Sequence, residues 1–280
     1  MTEPDPDRSA AARRAAELAL VRVCHHYGAR PEFVLIGGLV PGLLCSDASV
    51  QHAGTSDVDV QVNLEIAGGS VNAARLEQAL RNAEFSPDAE RVWRWKSSPA
   101  DGPVAMIKFE LLADLEEAPQ GATVAFEGSD RLGAANLRGT GFAAKDIEIH
   151  TLSAKDHGTR LTVDVNVAGL AGFLLAKTAA AHGRHKAKDY YDIAFVLLHH
   201  NVDSHSAAER VLARFGRPRS MRTPLLDLRA NFTDESSIGA EAYVRQIMQD
   251  HPDLDPGQSA LDGVLAVREF TSTLLETEGR

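Results

Sequence analysis

The stretch Thr55-Ser-Asp-Val-Asp-Val-Gln-Val62 decides how the first half of the chain is built. Polar residues and valines alternate in it, which is the two-residue period of a β-strand. Asp57 and Asp59 therefore share one face of that strand, and the valines share the other. Two carboxylates this close repel each other and stay ionised together most easily around a cation. We interpret this strand as one wall of a metal-dependent site.

A second stretch, Phe33-Val-Leu-Ile-Gly-Gly-Leu-Val-Pro-Gly42, comes shortly before it. Its apolar start predicts a buried strand, and Gly37-Gly38 predicts a turn into a helix. Glycines leave room for a phosphate to approach the backbone N–H groups at a helix start. Ser56, directly before Asp57, has two interpretations, as a residue that caps a turn or as a contact to a triphosphate.

A third carboxylate lies on the alternating stretch Ala105-Met-Ile-Lys-Phe-Glu-Leu-Leu-Ala-Asp114. The alternation predicts a strand, and pairing with the first strand would bring Glu110 next to Asp57 and Asp59. Asp114 shares the face of Glu110 and is the alternative third ligand. Oxygen ligands suit Mg²⁺ (or Mn²⁺). Three carboxylates on adjacent strands can hold two ions that activate a hydroxyl and stabilise a leaving pyrophosphate.

These features resemble the polymerase-beta-like nucleotidyltransferase superfamily, whose mark is a glycine turn, an Asp-x-Asp strand and a separate acidic strand. Here those features are Gly37-Gly38, Asp57-Val-Asp59 and Glu110. The resemblance implies transfer of a nucleoside monophosphate from a nucleoside triphosphate (NTP) to an acceptor hydroxyl. One departure is visible, because the connection between the turn and the aspartates is longer than the family usually has. Residues 47–54 must form a loop within that connection.

Composition excludes several classes of protein. With 44% hydrophobic and 24% charged residues among 280, the chain is of ordinary globular type. Its net charge of −10 argues against a surface that is basic all over. No apolar run reaches membrane-spanning length, so we expect no membrane partner. Cys24 and Cys45 have no metal-ligand or redox spacing and indicate buried, reduced thiols of a cytoplasmic protein.

We expect an α+β fold with two domains. A small mixed-sheet nucleotidyltransferase domain should occupy residues 1–165, and a helical domain should occupy residues 166–280, because the periodicity becomes helical near Val167. Further elements are predicted as a helix from Ser9 to Tyr27, an edge strand at 91–96, an irregular acidic stretch at 116–130, and strands at 142–152 and 161–165.

The helical half opens on a second informative stretch, residues 172–198. Lys177 and Arg184 are seven residues apart and therefore share one face of a helix. Gly183 marks a break before the next helix. Asp189 lies in the first turn of that next helix, where the helix dipole favours a negative charge.

This segment looks like the Lys…Arg…Lys-Asp-x-x-Asp signature of the AbiEii-type branch, which comprises nucleotidyltransferase toxins of the type IV toxin–antitoxin class and their relatives. The resemblance implies that Lys177 contacts the triphosphate and that Asp189 joins the active-site network. Arg184, Lys188 and Asp192 would support them. The resemblance also implies a transfer RNA end or other RNA as acceptor, and a cognate antitoxin protein as partner.

Each of these residues also has a structural interpretation. Glu110 would be an exposed strand residue paired with Lys108 or Lys96. Lys177 would be a surface lysine on an alanine-rich helix, and Asp189 a charge at a helix start.

The helical half is locally basic. Residues 176–230 contain ten Lys or Arg and five Asp or Glu, a difference of +5. Six arginines lie between 210 and 229, and arginine suits phosphate recognition. They favour a polyanionic acceptor, or they form an ordinary solvated face, which is the interpretation that we prefer for these distal arginines.

Two alternatives to RNA transfer stay open. The same core could modify a small molecule of the antibiotic type, or a protein hydroxyl. A non-catalytic nucleotide-binding or interaction protein would keep the fold and lose turnover. Metal-dependent release of pyrophosphate separates an enzyme from such a binding protein.

Overall fold

The computed structural model describes residues 8–62, 70–98, 106–126, 129 and 131–276. The chain divides into two compact units. The first comprises Met1–Val40 and Gly54–Ala168, and the second comprises Pro41–Ala53 and Gly169–Arg280. A short segment from the first half of the sequence therefore groups with the C-terminal helices. In the described ranges, no helix combines the length and the apolar character that a membrane span requires.

A mixed sheet forms the first unit, and the predicted fold class is confirmed. Its strands run in the order β3-β4-β5-β2-β1-β9-β8, with β7 also beside β5 and β6 beside β7. Their bounds are β1 Val34–Ile36, β2 Asp57–Gln61, β3 Ser86–Pro87, β4 Arg94–Ser97, β5 Ile107–Ala113, β6 Thr123–Ala125, β7 Gly133–Asn136, β8 Ile147–Asp156 and β9 Thr159–Ala168.

The aspartate strand β2 lies in the middle of this sheet. It pairs antiparallel with β1 and parallel with β5. Val58 and Val60 are completely buried, because branched valines pack well on the covered face of a pleated sheet. Burial of that face fixes the strand register, since a shift by one residue would turn the valines outward.

The helices of the first half are α1 Ala10–Tyr27, α2 Val40–Leu44, α3 Ser70–Asn82 and α4 Gly141–Ala144. The predicted first helix is confirmed. Ser9 Oγ accepts a hydrogen bond from the Ala12 N–H at 3.1 Å, and Gly28 ends the helix with a φ of +76°. Helix α1 packs against β8, β9 and α3. Cys24 and Cys45 are buried free thiols, as predicted.

The second unit is helical. Its helices are α5 Leu170–Arg184, α6 Ala187–His199, α7 Ser204–Phe215, α8 Arg222–Ala230, α9 Ile238–Asp250 and α10 Pro256–Leu275. Helix α6 is its core element and packs against α5, α9 and α10. The break between α5 and α6 falls at His185, which has a φ of +48°, two residues after Gly183.

After strand β5, which carries Glu110, the structure differs from the prediction at two elements. The strand predicted from Phe142 begins at Ile147, because residues 141–144 form a short helix instead. The Gly141 N–H at the start of that helix donates to the Asp114 carboxylate at 3.1 Å. The stretch predicted to be irregular contains β6, which pairs with β7. No local sequence pattern predicts either the short helix α4 or the strand β6.

The strand predicted at the sheet edge, β4, is covered on both sides. It pairs with β5 and with the two-residue strand β3, which was too short to predict. Trp95 on β4 is completely buried, so its indole ring packs inside the first unit.

Candidate active site

The glycine turn approaches the aspartate strand closely. Strand β1 ends at Ile36, and Gly37–Leu39 form a 3₁₀ turn that leads into α2. Gly37 has a φ of +78°, and a Cβ there would lie 2.8 Å from both Cβ and Cγ of Asp59. A Cβ on Gly38 would lie 2.9 Å from Cγ2 of Thr55. Both glycines are therefore required for the approach, one of them directly against a predicted site carboxylate.

Strand β2 fixes the two aspartates on one face. Asp57 is buried and Asp59 is partly exposed. The backbone N–H of Asp57 donates to Oγ1 of Thr55 at 3.1 Å, which closes the turn into the strand. Ser56 in that turn is also buried. The aspartates thus sit at the start of the strand, where the chain arrives from the long connection.

Glu110 lies beside the aspartates, since the β2–β5 register places it directly opposite Asp59. Burial raises the pKa of Glu110, and repulsion from Asp59 raises it further, to about 7, although Arg94 opposes the shift. The partner of Glu110 is Arg94, whose Nε donates to Oε1 at 2.6 Å. The structural interpretation paired Glu110 with Lys108 or Lys96. Glu110 pairs with Arg94 instead, because Arg94 is the residue opposite it on β4.

Arg94 was missed by sequence reasoning. Its side chain is buried and lies over the Trp93 ring, 5.0 Å from the centroid. An arginine in an alternating strand is compatible with an exposed position, so only the pairing of β4 with β5 identifies its role. The β4 lysine, Lys96, instead pairs with Asp88.

Asp114 has a different task from the other carboxylates. Its Oδ2 accepts hydrogen bonds from the backbone N–H groups of Gly139, at 2.8 Å, and Gly141, at 3.1 Å. It therefore organises the turn into α4. Its position favours Glu110 as the third carboxylate of the site.

The donor set fits a hard divalent cation by its chemistry. Asp57 and Asp59 share a face, and Glu110 is the neighbour of Asp59; burial and then repulsion from the two aspartates raise the pKa of Glu110. A bound cation would relieve this repulsion. As the side chains stand, however, no group of three or more His, Cys, Asp or Glu within the described ranges is arranged to hold a metal ion. Glu110 is engaged with Arg94 instead.

Replacing Gly37 by alanine should disrupt the carboxylates as well as the turn. We expect a loss of unfolding free energy of about 2–4 kcal/mol, because a positive φ costs a non-glycine residue about 1–2 kcal/mol and the new Cβ also displaces Asp59. The matched control is Gly158→Ala, whose φ is +84° and whose Cβ would meet nothing within 4 Å. Urea unfolding of both variants measures the difference. Equal losses in the two variants would contradict the close approach to Asp59.

The second unit holds a separate cluster of buried charges. Lys177 on α5 places its Nζ 2.6 Å from Oδ2 of Asp192 and 3.2 Å from Oδ1 of Asp189. All three side chains are at least nine-tenths buried. Lys177 is therefore not the exposed surface lysine of the alternative interpretation. Within the described ranges these two contacts use two of the three N–H donors of its ammonium, and one donor is left over.

Arg184 completes the pairing of Asp189. Its Nε donates to Oδ2 and its Nη2 to Oδ1, both at 2.7 Å, which is the bidentate arrangement of strong ion pairs. Burial alone would raise the pKa of Asp189, but Lys177 and Arg184 outweigh it and lower that pKa. Burial would likewise lower the pKa of Lys177, but Asp192 and Asp189 raise it. The positive charges of Lys177 and Arg184 are thus paired with the negative charges of Asp189 and Asp192.

His52 is the other residue that sequence reasoning missed. Its Nε2 lies 3.0 Å from Oδ1 of Asp192, and its side chain is fully buried. The ring stacks on Tyr191, with centroids 4.9 Å apart, and meets Phe195 edge-on at 4.8 Å. Since 140 residues separate His52 from Asp192, no motif spacing could have indicated the contact.

The remaining predicted residues lie outside the buried pairs. Lys188 is half-buried on α6. The six arginines between 210 and 229 are all exposed. Arg217 among them donates to the backbone carbonyls of Thr273 and Leu274 at the end of α10, where a cation is favoured by the helix dipole.

Comparison with known proteins finds a match that covers the buried charges around Lys177. Residues 135–267, just under half of the chain, match the family model described as nucleotidyl transferase AbiEii toxin, type IV TA system. No curated protein and no solved structure matches the chain. The resemblance to the AbiEii-type branch is confirmed over this range. It includes Lys177, Arg184, Asp189 and Asp192 and leaves out the glycine turn and the carboxylate strands.

Proposed function

We propose that this chain, whose residues 135–267 match the AbiEii nucleotidyl transferase toxins, transfers a nucleoside monophosphate from an NTP to an acceptor hydroxyl and releases pyrophosphate. The observation that carries the proposal is the β2–β5 register, which sets Glu110 beside Asp59 while the glycine turn lies against the same aspartate. A purely structural sheet has no reason to concentrate three carboxylates at one point, since their repulsion is unfavourable.

The chain's own residues would divide the work. Gly37 and Gly38 would bring the backbone N–H groups of the turn to the phosphates, because the lack of a side chain lets the turn lie against Asp59 and Thr55. Lys177 would donate its remaining N–H to the triphosphate, and Asp189 and Asp192 would hold the ammonium in place. Arg184 would keep Asp189 fixed. Positioning of the reacting groups is the main contribution of such residues in phosphoryl transfer.

Asp57, Asp59 and Glu110 would hold Mg²⁺ (or Mn²⁺). When bound, such an ion lowers the pKa of the acceptor hydroxyl and neutralises charge on the phosphates. In its absence Arg94 compensates Glu110, and the proton that Glu110 binds near neutral pH does the same. The chain therefore stabilises the carboxylate cluster by two means that a cation would supplement or replace.

Binding of Mg²⁺ or Mn²⁺ at pH 7 should release about half a proton per protein molecule. The pKa of Glu110 is about 7, so about half of the molecules carry the proton that a cation on this carboxylate displaces. Titration calorimetry in two buffers of different ionisation enthalpy measures the release. The control is Glu110→Gln, which should bind the ion without it. Binding to the wild type with no proton release would exclude Glu110 as a ligand.

We propose a hydroxyl of RNA, such as a transfer RNA end, as the acceptor, and a toxin–antitoxin setting with a cognate antitoxin. The family model that residues 135–267 match supports the toxin–antitoxin setting. The exposed arginines of α7, α8 and their connection are compatible with a polyanionic acceptor and equally with the solvated face preferred above. Phosphate contacts weaken steeply with salt, so RNA binding that is lost between low and physiological salt would agree with this acceptor.

The test is to mix the protein with Mg²⁺, each labelled NTP in turn and total cellular RNA. Label that appears in RNA with the wild type and not with Asp57→Ala supports both the chemistry and the acceptor. Pyrophosphate release without labelled RNA keeps the chemistry and favours a small-molecule or protein acceptor. Binding of NTP without turnover on any acceptor overturns the proposal in favour of a binding protein.

A further inference from the structure

The segment Pro41–Ala53 is held within the second unit by three consecutive residues. His52 contacts Asp192, and the Ala53 N–H donates to the Tyr191 hydroxyl at 3.0 Å. Gln51 contacts His251 through its backbone, with N and O at 3.2 and 3.1 Å from Nε2. The segment leaves the first unit directly after the glycine turn and returns to it three residues before Asp57. It is the long connection by which this chain departs from the superfamily pattern.

His52 contacts Asp192, which is one of the two carboxylates that hold Lys177. Oδ2 of Asp192 accepts from Lys177 at 2.6 Å, and Oδ1 faces His52 at 3.0 Å. A carboxylate only accepts, so the imidazole must carry its proton on Nε2 in this contact.

We infer that His52 is a positioning residue that fixes Asp192 and, through it, the ammonium of Lys177; the catalytic consequence rests on the proposed function. A carboxylate with one oxygen on an ammonium can still rotate about its bond to Cβ. A second hydrogen bond to the other oxygen stops this rotation. The third N–H of Lys177 then has one direction in which to meet a phosphate oxygen. Preorganisation of that kind raises the rate of nucleotide transfer.

Two substitutions separate the hydrogen bond of His52 from its packing. His52→Phe keeps an aromatic ring against Tyr191 and Phe195 and removes the donor to Asp192. His52→Gln loses the ring and keeps an N–H donor at the position of Nε2. A positioning role predicts that the Gln variant resembles the wild type and the Phe variant does not. A packing role predicts the opposite order.

The first measurement is the rate at which an amine-reactive reagent modifies Lys177 in the full chain, followed by mass spectrometry and normalised to the exposed Lys155. We expect Lys177 to react about tenfold faster in His52→Phe, as loss of one buried hydrogen bond to a charged group implies, and within about twofold of wild type in His52→Gln. Melting temperatures of both variants report any general loss of stability.

The second measurement is kcat/KM for the NTP, which should fall about tenfold in His52→Phe and recover in His52→Gln. If the wild type transfers no nucleotide, the proposed function fails, and the order of the labelling rates still tests the positioning role. A Phe variant that protects Lys177 as well as the wild type does, together with a Gln variant that does not, overturns the inference.

Discussion

Replacing Asp59 by asparagine should lower the rate of nucleotide transfer by at least about a thousandfold, which corresponds to about 4 kcal/mol of activation free energy. Asn keeps the shape of the side chain and removes the charge that a cation needs. Asp59 is central to the site, because it lies opposite Glu110 and against Gly37. Transfer of label from NTP to acceptor, with the acceptor that the wild type uses, measures the loss.

The same substitution should not unfold the protein. Repulsion from Asp59 contributes to the raised pKa of Glu110, so its removal lowers that pKa and relieves part of an unfavourable interaction. We therefore expect a melting temperature equal to or above that of the wild type near pH 8, which is above the pKa of Glu110. Glu90→Gln, an exposed carboxylate on a turn, is the control for loss of one charge. An Asp59→Asn protein that is folded and fully active would refute the assignment of Asp59 to catalysis.

Replacing Lys177 by methionine should have the largest effect on stability, about 3–5 kcal/mol of unfolding free energy. Methionine fills a similar volume, so the loss reflects charge and not a cavity. Asp192 would lose the donor to one oxygen, and Asp189 would keep Arg184 alone. A buried carboxylate left without its cation costs far more than the net gain from the original pair. Urea unfolding measures the change, and the transfer assay should show no residual activity.

A double variant distinguishes charge from general disruption. Adding Asp192→Asn to Lys177→Met removes the uncompensated carboxylate, so the double variant should be more stable than Lys177→Met alone by about 1–3 kcal/mol. The exposed Lys155→Met serves as the control and should change stability by less than about 0.5 kcal/mol. Additive losses from the two substitutions would show that Lys177 and Asp192 are not coupled.

The pH dependence of this cluster follows from the directions of its two resolved pKa shifts. The pKa of Lys177 is raised, so its contribution is complete below the ordinary lysine value of 10.5 and is lost as the pH rises above it. The pKa of Asp189 is lowered, so its contribution is complete above the ordinary aspartate value of 3.8 and is lost as the pH falls below it. The contributions of Lys177 and Asp189 to the stability of the wild type should therefore be constant between those two values, which urea unfolding at several pH values measures.

Much of the first unit could be predicted from local patterns. The alternation around Asp57 and Glu110 predicted both strands and the faces of their carboxylates, because the pleat of a strand is a two-residue period whatever its neighbours are. Ser9 and Gly28 marked the ends of α1, because capping and positive φ are local requirements. The signature around Lys177 was also visible, since its members lie within 16 residues and two adjoining helices.

The tertiary structure alone decided which partner each charge has. Arg94 and Glu110 meet because β4 pairs with β5, and His52 and Asp192 meet because a segment of the first half packs with the C-terminal helices. Neither contact follows from spacing, since the chain can bring together any two residues that a long connection separates. The sequence by itself determined the elements and the faces of their polar residues. Burial then required each charge on those faces to have a partner, and only the packing of distant elements could provide it.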